Sequence, residues 1–187
     1  LNNNQILDKI LNEELISPVF QPIVNLENGD IAGYEALSRI TLENCPINIE
    51  ELFNLASTNQ KLWELEKLCR SKALEKAICK PFGTKLLLNV AANIINDPQL
   101  KSGFTSQKLS QYNINPEDIV FEITEKNAFD ALDVFISSIE HYRKQNFKIG
   151  IDDFGSGYSG LNRVCAFSPD FIKLDMNLIR DIDKDPI

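Results

Sequence analysis

Histidine occurs once, as His141, and the four cysteines, Cys45, Cys69, Cys79 and Cys165, include no pair at C-x-x-C spacing. A zinc centre of the usual Cys/His kind is therefore not expected. Cys69 and Cys79 fall in a helical pattern and Cys165 in an apolar stretch, so buried, reduced thiols are expected, and with them a cytoplasmic compartment. A membrane anchor elsewhere in a longer parent stays compatible with this. No apolar run approaches the roughly 18 residues of a membrane span. Leu1–Gln5 lacks a basic region followed by an apolar core, so no signal peptide is expected. Leu1 also stands where an initiating Met would be, which reads as a piece of a longer protein. No linker-like or repeated segment interrupts residues 1–187, and one domain is expected. Positive charge is in deficit: 19 Lys and Arg against 27 Asp and Glu give a net charge of −8 and a pI of about 4.7. That balance argues against a nucleic-acid polymer or an anionic membrane as the main partner. A small anionic ligand stays open, because a bound divalent cation inverts the local field.

The chain is 43% hydrophobic, enough for a real core. Ile6, Leu7, Ile10, Leu11 and Leu15 recur at helical spacing. Val19–Leu26 is β-branched but contains Pro22, so it reads as an edge or irregular strand. Asn28-Gly29-Asp30 is a turn, and Ile31–Ile40 a second strand whose Glu35 and Arg39 share a side if it alternates. Glu50–Ala56 and Leu62–Ile78 are helical. From Leu86 onward strands alternate with helices: Leu86–Val90, Asp118–Thr124, Lys148–Asp152 and Phe171–Leu174 as strands, with Ala128–Gln145, Ser159–Ala166 and a segment from Met176 to Ile182 as helices. Such alternation implies parallel strands with helical crossovers. About six strands are expected, in either a doubly wound sheet or a (β/α)8 barrel.

The most informative stretch is Lys148–Tyr158, an apolar run ending in Asp152-Asp153 and followed by Gly155 and Gly157. Adjacent carboxylates repel, and burying them is costly unless a cation compensates. Hard cations accept such ligands. A solvated Asp-Asp turn is the alternative that this segment alone leaves open. Glu35, Asn89, Glu122, Asp152, Asp153, Lys173 and Asp175 all lie within or at the end of a predicted strand. Polar groups supplied by several strand ends mark a TIM-like barrel, whereas a doubly wound nucleotide-binding domain needs a Gly-rich turn after its first strand, which is missing. Taken singly, Glu35 reads as a solvated strand residue, Asn89 as a cap, Lys173 and Asp175 as an i, i+2 ion pair, and His141 as a surface residue. Glu122 in an apolar strand needs a partner in any case.

Six blocks in order, Phe20-Gln-Pro-Ile23, Glu35-Ala-Leu-Ser-Arg39, Leu88-Asn-Val90, Phe121-Glu-Ile-Thr-Glu125, Asp152-Asp-Phe-Gly-Ser-Gly-Tyr-Ser159 and Pro169-Asp-Phe-Ile-Lys-Leu-Asp175, resemble the EAL domain family of cyclic di-GMP phosphodiesterases. The likeness runs from about residue 5 to the end. It implies a TIM-like (β/α)8 barrel of the EAL type, here with about six of eight strands, and hydrolysis of cyclic di-GMP to linear pGpG with two Mg²⁺ or Mn²⁺ ions. It implies that Glu35, Asn89, Glu122 and Asp152 ligate the first cation, and that Asp153 joins the second beside Asp152. By the same resemblance Lys173 contacts the attacking water or phosphate, and Asp175 supports Lys173 and the metal. Gln21 and Arg39 hold the nucleotide, and Glu125 anchors loop 154–159, which couples the site to homodimerisation. Sensory or cyclase-like partner domains are compatible with a longer parent. Every implied ligand offers oxygen, as Mg²⁺ and Mn²⁺ prefer, and a planar Arg suits phosphate.

Two departures stand out. Ala91 and Ala92 occupy positions where the family usually has Ser and often Pro, so a hydrogen bond supporting Asn89 is expected to be lost. The family's last two strands, with their Glu and Gln groups, have no counterpart up to Ile187, and the 187-residue piece is expected to be inactive as a hydrolase by itself. A catalytically silent cyclic di-GMP receptor is the second reading, and a metal-assisted lyase using Lys173 as base a more remote third.

Overall fold

The computed structural model describes residues 2–91, 103–124, 132–155 and 168–184. Six strands, β1 (Ile16–Val24), β2 (Ile31–Ile40), β3 (Lys85–Asn89), β4 (Ile119–Thr124), β5 (Lys148–Phe154) and β6 (Phe171–Leu174), form one sheet in sequence order. β1 and β2 are an antiparallel hairpin, and every later neighbour pairs in parallel. A doubly wound sheet must reverse its strand order at a switch point. No reversal occurs here, so the sheet grows in one direction, as in a (β/α)8 barrel.

Among the described residues six helices accompany it: α1 (Asn3–Asn12), α2 (Ile49–Thr58), α3 (Leu62–Lys76), α4 (Phe104–Tyr112), α5 (Leu132–Arg143) and the single turn α6 (Met176–Ile179). α1 and α2 each begin with a capping box, Asn2 with Gln5 and Asn48 with Glu51, which satisfies two orphan N–H groups at each terminus. Pro18 and Pro22 both sit on β1, at the edge of the sheet, where a missing N–H is tolerated.

Strand alternation sorts the side chains into two faces. Leu86, Leu88, Ile119, Phe121, Ile123, Ile149 and Ile151 pack with Ala73 and Leu74 of α3, Leu109 of α4 and Ile139 and Tyr142 of α5. This is the helix-covered outer face. Leu87 and Val120 are buried but stand apart from that cluster, on the inner face. A second cluster joins Ile6, Leu7 and Ile10 of α1 to Ile16, Leu52, Ala56, Leu65 and Cys69.

Several sequence expectations need adjustment. β1 begins at Ile16, not Val19. α3 stops at Lys76 and tightens into a 3₁₀ turn over Ala77–Cys79, which buries Ala77 and turns Cys79 outward, so Cys79 is exposed and not buried. Cys69 is buried as expected, its thiol pushed up to about 12 chiefly by desolvation. His141 is half-buried on α5, beside Gln145 and edge-on to Tyr142. The segment from Met176 is helical only to Ile179. The helix expected at Ser159–Ala166, Cys165 and the first residues of Ala128–Gln145 lie outside the described residues. No helix among the described residues is long and apolar enough to cross a membrane.

Candidate metal and nucleotide site at the strand ends

The register shows why these particular residues meet. Glu35 pairs with Leu87, Asn89 with Glu122, and Glu122 with Gly150, while Gln21 lies opposite Glu35 across the hairpin. Residues side by side on neighbouring strands point to the same face, and so do residues two apart. Gln21, Glu35, Asn89, Glu122 and Asp152 therefore all project from the inner face, towards the C-terminal ends of the parallel strands. Leu87 and Val120 lie one layer below as the apolar floor. Gly150 supplies space: a Cβ there would stand 3.3 Å from both Glu122 Cγ and Val120 Cγ1.

Between Ile151 and Phe154 the register of β5 against β6 shifts, so Asp152 and Asp153 together oppose Lys173. Two residues facing one is a β-bulge, a device that re-aims side chains. Asp153 adopts φ +55°, and its N–H donates to Asp152 Oδ1 at 2.9 Å. The bulge breaks the alternation that would otherwise send the two neighbouring carboxylates to opposite faces.

Lys173 sits among three carboxylates. Its Nζ lies 2.9 Å from Glu35 Oε2, 3.1 Å from Asp152 Oδ1 and 3.3 Å from Glu122 Oε1. One oxygen from each of Glu35, Glu122 and Asp152 lies within 4.8 Å of the other two. Asn89 Nδ2 donates to Glu35 Oε1 at 2.9 Å. Three negative charges face one positive charge, and Glu122 is almost completely buried. Burial, then the charges of Glu35 and Asp152, overcome the attraction of Lys173 and push Glu122 up to about 7. For Lys173, burial alone would favour the neutral amine, but Glu122, Glu35 and Asp152 raise it above the ordinary lysine value. Asp153 is raised by burial and by the nearby charges of Asp152 and Asp175. The donor set fits a divalent cation, since Mg²⁺ holds oxygens at about 2.1 Å and so spans about 4.2 Å between opposite ligands.

Arg39 is exposed, and its Nη1 donates to the carbonyl of Ser38 at 2.9 Å. It lines a cavity of about 430 Å³ together with Glu66, Arg70, Asn89, Glu122 and Thr124. Gln21 is exposed on the edge hairpin, outside that lining. Asp175 caps α6, its Oδ1 accepting from Asn177 N–H at 2.7 Å, while its own N–H donates to the carbonyl of Phe154. It thus borders the site as a charge beside Asp153, and the described contacts do not join it to Lys173. Glu125 lies outside the described residues, as does most of loop 154–159.

Sequence reasoning passed over Glu66 and Arg70, a buried ion pair beside this site with Nη2–Oε2 at 3.3 Å. A signal was present. Trp63, Glu66, Arg70 and Ala73 share the helix face that points into the core, and charged residues in such a row need a structural or functional reason.

A sheet that grows in one direction, parallel beyond its first hairpin and carrying acidic groups on its inner face, defines the class, a TIM-like α/β barrel domain. The chain belongs to the EAL domain family, whose family model matches residues 3–187. It is similar to the probable cyclic di-GMP phosphodiesterase PdeA of Escherichia coli, 30% identical over 169 residues that cover 87% of this chain and 22% of that protein. It is also similar to the cyclic di-GMP phosphodiesterase RocR of Pseudomonas aeruginosa, at 27% over 176 residues, covering 89% of this chain and 43% of RocR. The Klebsiella pneumoniae BlrP1 manganese/cyclic di-GMP complex superposes with a TM-score of 0.78 at 28% identity, covering 90% of this chain and 42% of that one. The chain spans about a quarter of the length of the first curated relatives it matches.

Proposed function

We propose that this domain hydrolyses cyclic di-GMP to linear pGpG with two Mg²⁺ or Mn²⁺ ions. The observation that carries the proposal is the convergence of Glu35, Glu122 and Asp152, with Asn89 and Lys173, at the C-terminal ends of adjacent parallel strands. Relatives named as cyclic di-GMP phosphodiesterases, and BlrP1 complexes solved with manganese and with calcium, support the ligand and the need for a divalent cation. Glu35, Asn89, Glu122 and Asp152 hold the first cation, and Asp153, set beside Asp152 by the bulge, joins the second. When bound, such a pair of cations polarises the phosphoryl oxygens and supplies an activated water.

The chain's own groups do the rest. Lys173 keeps its proton at neutral pH and offers a positive charge to the phosphate or the attacking water. Asp175 holds the negative field around Asp153. Arg39, on the cavity rim, takes a phosphate oxygen, and Gln21 contacts the nucleotide from the edge hairpin. In the intact protein the domain works in the cytoplasm as a homodimer, joined to sensory or cyclase-like domains. The 187-residue chain by itself is inactive as a hydrolase, because β1 and β6 stand at open edges of the sheet among the described residues and ligands at strand ends need positioning to within about 0.5 Å.

A receptor that binds without turnover is the competing reading, favoured by Ala91 and Ala92 where supporting groups are usual. The test incubates the full-length protein with cyclic di-GMP and Mn²⁺ and follows pGpG by chromatography. Mn²⁺-dependent pGpG that stops in excess chelator and is poor with Ca²⁺ is expected. Tight binding without pGpG would overturn the hydrolase reading in favour of the receptor.

A further inference from the structure

We propose that Glu66 and Arg70 of α3 are positioning residues that set the strand-end carriers of Asn89 and Glu122; this rests on the metal-site reading above. Both side chains are buried, at 3% and 4% exposure, and lie one helical turn apart. The Glu66 carboxylate is divided between two donors. Oε2 accepts from Arg70, and Oε1 accepts from the main-chain N–H of Ala91 at 2.8 Å.

Ala91 is two residues past Asn89, just where β3 ends. The preceding N–H, of Val90, donates to the carbonyl of Glu122 at 2.9 Å. The end of β3 is thus tied on one side to β4 by the sheet ladder and on the other to α3 by Glu66. With both amides fixed, the backbone of Asn89 has little freedom, and its side chain keeps the bond to Glu35. Ala91 itself carries no side-chain polar group, and among the described residues the Glu66 carboxylate holds its main-chain N–H at the strand end.

Arg70 extends the same control to β4. Its guanidinium lies 5.0 Å from the ring centroid of Phe121 and 5.9 Å from that of Trp63, and Nη1 donates to Thr105 Oγ1 of α4 at 3.1 Å. Phe121 immediately precedes Glu122. One buried pair therefore touches the carriers of two neighbouring candidate ligands and links them to two helices. Stability alone is a weak reason to keep such a pair, because well-packed apolar residues of similar volume often do as well or better. A fixed hydrogen bond to a strand end is something apolar residues cannot supply. Partners of this kind, standing behind the ligands, typically change metal affinity about 10–100-fold.

The experiment compares two double variants of the full-length protein by Mn²⁺ titration calorimetry, with circular dichroism as the check on folding. Glu66→Leu/Arg70→Met removes the charges and the acceptor for Ala91. Glu66→Gln/Arg70→Gln removes the charges but retains an amide oxygen for Ala91 and a donor for Thr105. The apolar pair is expected to fold and to bind Mn²⁺ about 10–100-fold more weakly, while the amide pair stays within a few-fold of the unaltered protein. Equal affinity in both pairs, high or low, would overturn the proposal, because the acceptor would then not be the cause. Should the apolar pair fail to fold, Glu66→Met/Arg70→Gln differs from the amide pair only at the side chain facing Ala91 and gives the same comparison. Failure of the unaltered protein to take up Mn²⁺ would instead overturn the metal-site reading, and this inference with it.

Discussion

At the scale of single residues, the site is a problem of unbalanced charge. Glu35, Glu122 and Asp152 face one ammonium, that of Lys173, and the most buried carboxylate carries the largest penalty. Its pKa is pushed up from 4.5 to about 7, with burial the main cause. A group whose value is raised on folding contributes stability fully below its unfolded value, and that contribution is lost as pH rises through the folded one. The metal-free protein should therefore lose stability between about pH 4.5 and 7 through Glu122, on the order of 3 kcal/mol. Glu122→Gln mimics the protonated acid without its titration. It should stabilise the metal-free protein at pH 8, flatten its stability profile between pH 5 and 7, and lose Mn²⁺ binding and turnover. Urea unfolding at a series of pH values, with Mn²⁺ titration beside it, checks this. A variant less stable than the unaltered protein at pH 8 would contradict the charge-surplus account.

The elements of secondary structure turn that charge set into a geometry. Period-two alternation places Glu35, Asn89, Glu122 and Asp152 on one face, and the β5 bulge sets Asp153 beside Asp152. The inner face of β5 is kept open beside Glu122 by Gly150. Gly150 is not in a left-handed conformation, so Gly150→Ala tests space alone. Its methyl group would meet Glu122 Cγ at 3.3 Å and displace that side chain by a few tenths of an ångström. Crowding of this kind costs about 1–3 kcal/mol. Catalytic geometry is less forgiving, and turnover should fall at least 10-fold while the protein remains folded. Steady-state kinetics alongside thermal unfolding would show it. Equal activity in the Ala variant would mean that Glu122 is not held where its carboxylate matters. Gly155 presents a different constraint: at φ +94° an added Cβ would collide with Leu178 Cδ1, so that turn is closed to side chains on both backbone and packing grounds.

For the whole molecule, the carboxylates come from β2, β4 and β5, so a cation bound among them links strands far apart in sequence. Ligand that binds only the folded state stabilises by mass action, about 2.7 kcal/mol at one hundred times its dissociation constant. For a domain of this size each kcal/mol shifts the melting temperature by about 2–4 °C. Saturating Mn²⁺ should therefore raise the midpoint by about 5–10 °C, and EDTA should reverse it. Glu35→Ala and Asp152→Ala should abolish the shift. Differential scanning calorimetry decides, and a midpoint indifferent to Mn²⁺ would remove the cation from the account of this site.

The sequence by itself determined more of the site than of its supports. Parallel α/β order follows from strand and helix periods, and the placement of Glu35, Asn89, Glu122, Asp152 and Lys173 within or at the ends of strands follows from the apolar runs around them. The oxygen donors of the candidate ligand set, itself implied by the family resemblance, could be read directly, because donor type is a property of residue type. Tertiary structure alone decided the rest. The one-directional strand order, which separates a barrel from a doubly wound sheet, depends on which strands pair across helical crossovers. The distances around Lys173 depend on register, and a slip of one residue would send a strand's candidate ligand to the opposite face. The Glu66–Arg70 pair stayed hidden for the same reason: a charged i, i+4 pair on a helix is ordinarily a solvated one, and only the packing of α3 against the sheet turns it inward, where burial forces each charge to find a partner and one of those partners is the strand end that carries Asn89.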